Sequence, residues 1–251
     1  MAYKNLIYQK DGGIATVTIN RPEVMNALSQ GALAELKAAI EEAGKDDDVF
    51  VVILTGAGRA FSAGRDFQSL GDELKEAGEG PLLKDAVRDA VDAIVAVPKV
   101  VIAMVNGYCL TGALEIALGC DLIVASEAAR FGDTHARWGL RSGAGLSQRL
   151  PRLVGILKAK ELSFTADMIT AQEAERIGLV NMTVPAEELE SAVRDLANKI
   201  MANSRDSITA YKYLYNHGMS GTLEKGLELE ATGEFLIRDT EERIRKFGKK
   251  S

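Results

Sequence analysis

The amino-acid sequence predicts an α/β fold that ends in an all-helical segment. Three observations predict it. Short, wholly apolar runs at residues 50–54 (FVVIL) and 100–105 read as strands covered on both faces. These runs alternate with stretches of helical period at intervals of some tens of residues, as in an α/β chain. From Glu187 onward the strands stop and every later segment is helical in pattern.

The elements follow in order. Residues 14–19 (IATVTI) alternate and are rich in β-branched side chains, so they form a strand, ended by Asn20-Arg21-Pro22. Residues 28–43 carry Leu33, Leu36 and Ile40 at helical spacing. Residues 45–48 make a charged turn into the strand at 50–54, and a loop rich in Gly and Ala covers 55–64. Residues 66–92 are charged and mostly helical. A break at Gly78-Glu79-Gly80-Pro81 predicts a flexible, exposed segment there. The strand at 100–105 is turned by Asn106-Gly107 and leads to a helix at 112–118. A strand at 122–125, a helix at 171–177 stopped by Gly178 and an extended stretch at 179–184 complete this part. Helices are expected at 187–202, 206–215 and 223–247. Ile208, Tyr211, Leu214 and Tyr215 give one apolar stripe, which packs on the chain's own core or on a neighbouring subunit.

Composition removes several classes of function. With 251 residues the chain needs no disulfide or metal staple. Its 30 basic and 36 acidic residues leave a net charge of -6, so there is no global footprint for nucleic acid. Cys109 and Cys120 fit no common zinc spacing and suit a reducing compartment, and with only His135 and His217 a histidine-rich metal site is excluded. The first residues lack a secretory apolar core, and the run at 100–105 is too short to span a bilayer. A cytoplasmic protein, with no membrane and no nucleic-acid partner, is expected.

The common nucleotide and hydrolase motifs are also missing. Gly56-Ala57-Gly58 lacks the third glycine of a dinucleotide loop, since residue 61 is Phe, and Gly143-Ala144-Gly145 fails likewise at Gln148. No P-loop and no GxSxG elbow occurs. The informative stretch is 103–121, AMVNGYCLTGALEIALGCD. A buried strand there runs through a Gly turn into a helix whose first turn holds Gly112. Such a helix start offers N–H groups and a positive dipole end, and Gly allows close approach of a ligand atom. Glu115 lies one turn along on nearly the same face. It could do acid–base work beside a carbonyl being polarised, or it could simply cap the turn with Thr111 or Gly112. A second piece, 58–66 (GRAFSAGRD), could seat an anion or a carbonyl oxygen on its N–H groups. It could equally be a plain loop with Ser62 or Asp66 as a helix cap.

Together these two pieces resemble the enoyl-CoA hydratase/isomerase superfamily, the crotonases. Four further stretches fit in the same order: 20–28 (NRPEVMNAL), 129–133 (ARFGD), 143–151 (GAGLSQRLP) and 170–180 (TAQEAERIGLV). The resemblance spans roughly residues 3 to 240 of this sequence. It implies a crotonase-type spiral of strand–strand–helix units over residues 1–186 and a C-terminal helical oligomerisation segment over 187–251. It also implies a homotrimer or homohexamer and an acyl-CoA thioester substrate. Coenzyme A would be part of that substrate, with no separate cofactor and no metal. By motif position, the backbone N–H groups of Arg65 and Gly112 would form an oxyanion hole for the thioester oxygen. Met25, Ala27, Leu28, Ala63 and Asp66 would line the CoA channel, with Phe67 and Tyr108 also binding substrate.

The resemblance makes Glu115 the residue that activates water, with a pKa raised beside an apolar acyl chain. Hydratases of this family use a second glutamate, three residues after the glycine of Phe131-Gly132. Here that residue is His135, which could protonate Cα or only shape the pocket. Asp133 is a weaker substitute. The expected activity is addition of water to a 2-enoyl-CoA. Isomerisation or other enolate chemistry on an acyl-CoA is the alternative, and a non-catalytic acyl-CoA-binding member is a third reading. Trp138 is expected in the core, Cys109 and Cys120 as small buried residues, and Asp121 as a cap or ion-pair partner. The basic stretch from Arg243 to Lys250 either meets the CoA phosphates or is a solvated tail.

Overall fold

The computed structural model describes residues 3–77 and 86–247. The predicted break at Gly78-Glu79-Gly80-Pro81 lies outside these residues. In chain order the strands are β1 (Leu6–Asp11), β2 (Ile14–Ile19), β3 (Val51–Gly56), β4 (Ala60–Ser62), β5 (Val100–Val105), β6 (Tyr108–Leu110), β7 (Leu122–Ser126), β8 (Arg130–Gly132), β9 (Ile169–Thr170) and β10 (Met182–Val184). The helices are α1 (Gln30–Lys45), α2 (Phe67–Ala77), α3 (Ala86–Ala96), α4 (Gly112–Gly119), α5 (Leu146–Val154), α6 (Ile156–Thr165), α7 (Ala171–Arg176), α8 (Leu189–Met201), α9 (Arg205–Gly218), α10 (Leu223–Thr232) and α11 (Thr240–Phe247).

Two sheets organise the chain. The larger has the order β1-β2-β3-β5-β7-β10, parallel except for the β1–β2 hairpin. The smaller has the order β4-β6-β8-β9, parallel except for β8–β9. Each pair β3–β4, β5–β6 and β7–β8 therefore puts its first strand in one sheet and its second in the other. This is the repeating strand–strand–helix unit that the resemblance implied.

The apolar runs are explained by burial on both faces of the large sheet. Along β3, Val52 and Leu54 join one core with Leu36, Ile40 and Ile94 from α1 and α3. The alternate residues Val51 and Ile53 face a second core, closed by Leu189, Val193 and Ala197 of α8. Truncating such a side chain, as in Ile53→Ala, costs about 2–5 kcal/mol. Helix α9 is tied down by Lys212, whose Nζ donates to the carbonyls of Ile94 and Lys99 and to Asp121 Oδ2 at 2.8 Å. Asp121 thus is the ion-pair partner expected of it.

The sequence pattern missed several elements. Strands β4, β6 and β8 have three residues each, too few to display a period. Strand β1 is an edge strand with only Leu6 buried, so it shows little alternation. Helices α5 and α6 were not assigned either. The single helix expected at 223–247 is two, α10 and α11, separated by 233–239. Helix α1 starts at Gln30 rather than Leu28, because Ser29 caps it by accepting from Ala32 N. Among the described residues no helix is long and apolar enough to cross a membrane.

Candidate active site

The loops after β4 and β6 meet at the site. Leu28 bridges Arg65 in parallel, with Leu28 N donating to Gly64 O and Asp66 N donating to Leu28 O. In that ladder the Arg65 N–H points away from Leu28. On the other loop, Thr111 stands before α4 at φ 49° and ψ -115°, a conformation that costs a β-branched residue about 1–3 kcal/mol. Its N–H donates to Gly132 O. The turn at Thr111 sets Gly112 as the first residue of α4, where an N–H has no partner within the helix. The two loops touch: a Cβ added to Gly112 would lie 3.7 Å from Arg65 Cγ. The structure therefore brings Arg65 and Gly112 together, as an oxyanion hole requires.

Glu115 follows one turn into α4 and is 2% exposed. Its carboxylate reaches across to another loop. Its Oε1 accepts from Gly143 N at 3.1 Å and from Ala144 N at 2.8 Å. Two such donors favour the ionised carboxylate. The donating loop is fixed from behind, where Arg149 Nη1 donates to Ala144 O at 2.8 Å. The other oxygen, Oε2, lies 3.9 Å from His135 Nε2.

His135 opens a 3-10 helix, His135–Trp138, directly after β8, and its side chain is buried. Its Nδ1 lies 2.6 Å from Asp133 Oδ1. Ser163 of α6 donates to Asp133 Oδ2 at 2.6 Å, and His135 N donates to Oδ1 at 3.3 Å. Burial works to raise the Asp133 carboxyl, but the bonds from His135 and Ser163 outweigh it and hold it below the usual range.

The expected CoA-channel residues form one braced edge. Met25 and Asn26 both have left-handed φ, 54° and 58°. The fully buried Asn26 holds this turn, donating to Ala57 O and Ala60 O and accepting from Arg21 N. Ala63 N donates to Met25 O. Asp66 is committed within the protein. Its Oδ1 accepts from Gln68 N and Ser69 N at the start of α2, and its Oδ2 pairs with Arg21 at 3.1 Å. Arg21 Nη1 also donates to Ala27 O. The side chain of Leu28 lies in the core, which sets it apart from the lining role expected of it. Phe67 is exposed and packs on Trp138 with ring centroids 4.8 Å apart. Trp138 is itself 55% exposed, so its expected place in the core is corrected. Tyr108 is at the end of β6 far from the Gly112 turn. Cys109 is buried, whereas Cys120 is only partly so. Arg243 pairs with Asp239 and Lys246 with Glu242.

Sequence reasoning missed the partners of Glu115 and His135. Asp-x-His spacing was the available signal for Asp133, because an aspartate readily accepts from the N–H two residues on. Ser163, 30 residues away, carried none.

The Arg65 and Gly112 loops meet beside a buried carboxylate on a spiral of strand–strand–helix units, the arrangement that the resemblance to the crotonases implies. The chain belongs to the enoyl-CoA hydratase/isomerase family, whose model matches residues 9–245. It is 41% identical to a short-chain-enoyl-CoA hydratase of Clostridium acetobutylicum, covering 98% of this chain and 95% of that one. It is 40% identical to a crotonyl-CoA hydratase of Syntrophomonas wolfei over 92% and 88% of the two chains. The crystal structure of an enoyl-CoA hydratase from Bacillus anthracis superposes with a TM-score of 0.91 at 33% identity, covering 98% of this chain and 97% of that one.

Proposed function

We propose that the protein is an enoyl-CoA hydratase acting on a short 2-enoyl-CoA, with Glu115 and His135 as its acid–base pair. The observation that carries this reading is the 3.9 Å approach of Glu115 Oε2 to His135 Nε2, beside the Arg65–Gly112 loops. A water about 2.8 Å from both atoms would see them at an angle of about 90°, close to tetrahedral demand. That water is held for attack on Cβ. Its oxygen bonds to Cβ and its proton passes to Glu115. The electron pair of the double bond moves to Cα and the thioester oxygen, where the Arg65 and Gly112 N–H groups stabilise the enolate. Cα then takes a proton from His135 Nε2, and the proton on Glu115 returns to His135. One water is consumed and no electron is transferred, so the reaction calls for no redox cofactor.

The names of the two relatives support a short acyl group. Exposed Tyr211 and Tyr215 on α9, with Leu223 and Leu227 on α10, support self-association, for which the resemblance implies a homotrimer or homohexamer. A cytoplasmic location is consistent with the bacterial relatives. The test is incubation with crotonyl-CoA in heavy-oxygen water. An enzyme-dependent product carrying the label at the new hydroxyl is the expected result. A product of shifted double bond without label would instead establish isomerisation, and binding without turnover would establish the non-catalytic reading.

A further inference from the structure

We propose that Asp133 is a positioning residue for this reaction, holding His135 through Nδ1 so that Nε2 is the nitrogen that gives and takes the proton. The proposal rests on the hydratase reading above for its consequence in turnover, but not for its geometry.

Three features of the structure carry it. First, Asp133 is engaged within the protein through both its oxygens. Oδ1 takes His135 Nδ1 at 2.6 Å and His135 N at 3.3 Å, and Oδ2 takes Ser163 at 2.6 Å. Second, the hold is braced from another element, since Ser163 belongs to α6 and Asp133 to the segment after β8. A side chain fixed on both oxygens fixes the ring it binds. Third, Asp133, His135 and Glu115 are all buried. Burial shields the bond between His135 Nδ1 and Asp133 from bulk solvent.

The chemistry follows from donor counting. An ionised carboxylate only accepts, so Nδ1 must carry a hydrogen in both charge states of His135. The site of titration is then Nε2, the atom that faces Glu115. The nearby negative charge of Asp133 also favours the imidazolium, which is the form that protonates Cα. After that step the ring is neutral with its hydrogen on Nδ1, and Nε2 is ready to accept the proton from Glu115. A glutamate in place of His135 would need no such orienting partner, whereas an imidazole with two unlike nitrogens does.

Other charged groups stand on the elements packed around the ring. Glu115 faces it from α4. Arg149 of α5 acts electrostatically on Glu115. On α6, Lys158 pairs with Glu161 and Glu173, and Lys160 is exposed. Arg137, on the same 3-10 helix, donates to Ala166 O.

The experiment uses 15N-histidine-labelled full-length protein. Only His135 and His217 contribute signals, and His217→Gln assigns them. Neutral His135 in the wild type is expected as the Nδ1–H tautomer, and the Nε2–H tautomer would overturn the proposal even if no variant folds. In Asp133→Asn the carboxylate charge is lost with little change of shape. The His135 titration midpoint should fall by about one pH unit or more. The alkaline limb of kcat should move with it, kcat should drop about 10²-fold or more, and KM should change little. An unchanged midpoint and kcat in a folded Asp133→Asn variant would overturn the proposal while leaving the hydratase reading intact. If the wild type hydrates no 2-enoyl-CoA, that reading falls, and the tautomer and midpoint still decide whether Asp133 orients His135.

Discussion

Gly64 lies so close to Thr111 that a Cβ added at Gly64 would stand 2.0 Å from the Thr111 hydroxyl oxygen and 2.8 Å from Leu110 O. Gly64 also has φ 94°. This contact seats the loop bearing Arg65 against the loop bearing Gly112, so the spacing of the two N–H groups proposed to hold the thioester oxygen depends on a missing methyl group. Gly64→Ala must push the loops apart. We expect kcat/KM to fall roughly 10²–10³-fold, comparable to loss of an oxyanion donor. Stability should also fall, by about 1–3 kcal/mol. Gly12→Ala is the control, since Gly12 has φ 57° but nothing within 4 Å of an added Cβ. It should lose stability in a thermal melt and retain kcat. Equal kinetic losses in both variants would reject the close-contact explanation.

Glu115→Gln separates chemistry from folding. The glutamine carbonyl oxygen can still accept from Gly143 N and Ala144 N, so the loop it anchors should remain in place. The amide cannot take a proton from water. Hydration should fall about 10²–10⁴-fold, with acyl-CoA affinity preserved by calorimetry. Retained hydration would remove Glu115 from the mechanism.

How much of this was legible beforehand depends on the range of the signal. The buried strands β3 and β5 were legible because both faces are covered, which makes the runs wholly apolar. The small sheet was not, because β4, β6 and β8 gain their stability from one another across long separations rather than from a local period. Glu115 and Gly112 stand out as candidates because they sit in a Gly-bearing motif whose local geometry can be reasoned out, whereas Arg65 is singled out only by its motif position in the resemblance. The environment of Glu115 was not found. The sequence pointed to Thr111 or Gly112 as local partners, and nothing in it pointed to the N–H groups 28 and 29 residues away that the carboxylate meets. Asp66 had both meanings. Its role as a cap of α2 was legible locally, and its pairing with Arg21, 45 residues back, was not.

That Arg21–Asp66 pair predicts a pH effect of definite sign. Burial works to raise the Asp66 carboxyl, but Arg21 and the N–H groups of Ser69 and Gln68 outweigh it, so its pKa lies below the ordinary 3.8. A depressed folded-state pKa gives stability that is present above the unfolded value and lost as pH falls through the folded one. Asp66→Asn should therefore melt below the wild type near neutrality. The gap should narrow as pH drops below about 4, where the wild type also loses its charge. Because Arg21 also holds Ala27 O, the variant should raise KM for acyl-CoA more than it lowers kcat. A melting gap independent of pH would show that charge at Asp66 does not support the fold.

The apolar surface of the C-terminal helices predicts association. Tyr211 and Tyr215 stack at 5.8 Å on one face of α9 and are 57% and 66% exposed. Helix α9 is not loose, since the adjacent Lys212 anchors it to Asp121 and to two carbonyls of the core. A rigid helix presenting two stacked aromatic rings, packed against a helix that itself exposes Leu223 and Leu227, carries apolar surface of the kind that marks a protein–protein contact. Sedimentation of the wild type should give the mass of three or six chains. The double variant Tyr211→Glu and Tyr215→Glu places two charges where a partner would exclude water, at a cost that grows with burial. It should sediment as a single chain while Lys212 still holds α9 in place. A wild type that sediments as one chain, or a double variant that keeps the wild-type mass, would place any association elsewhere on the surface.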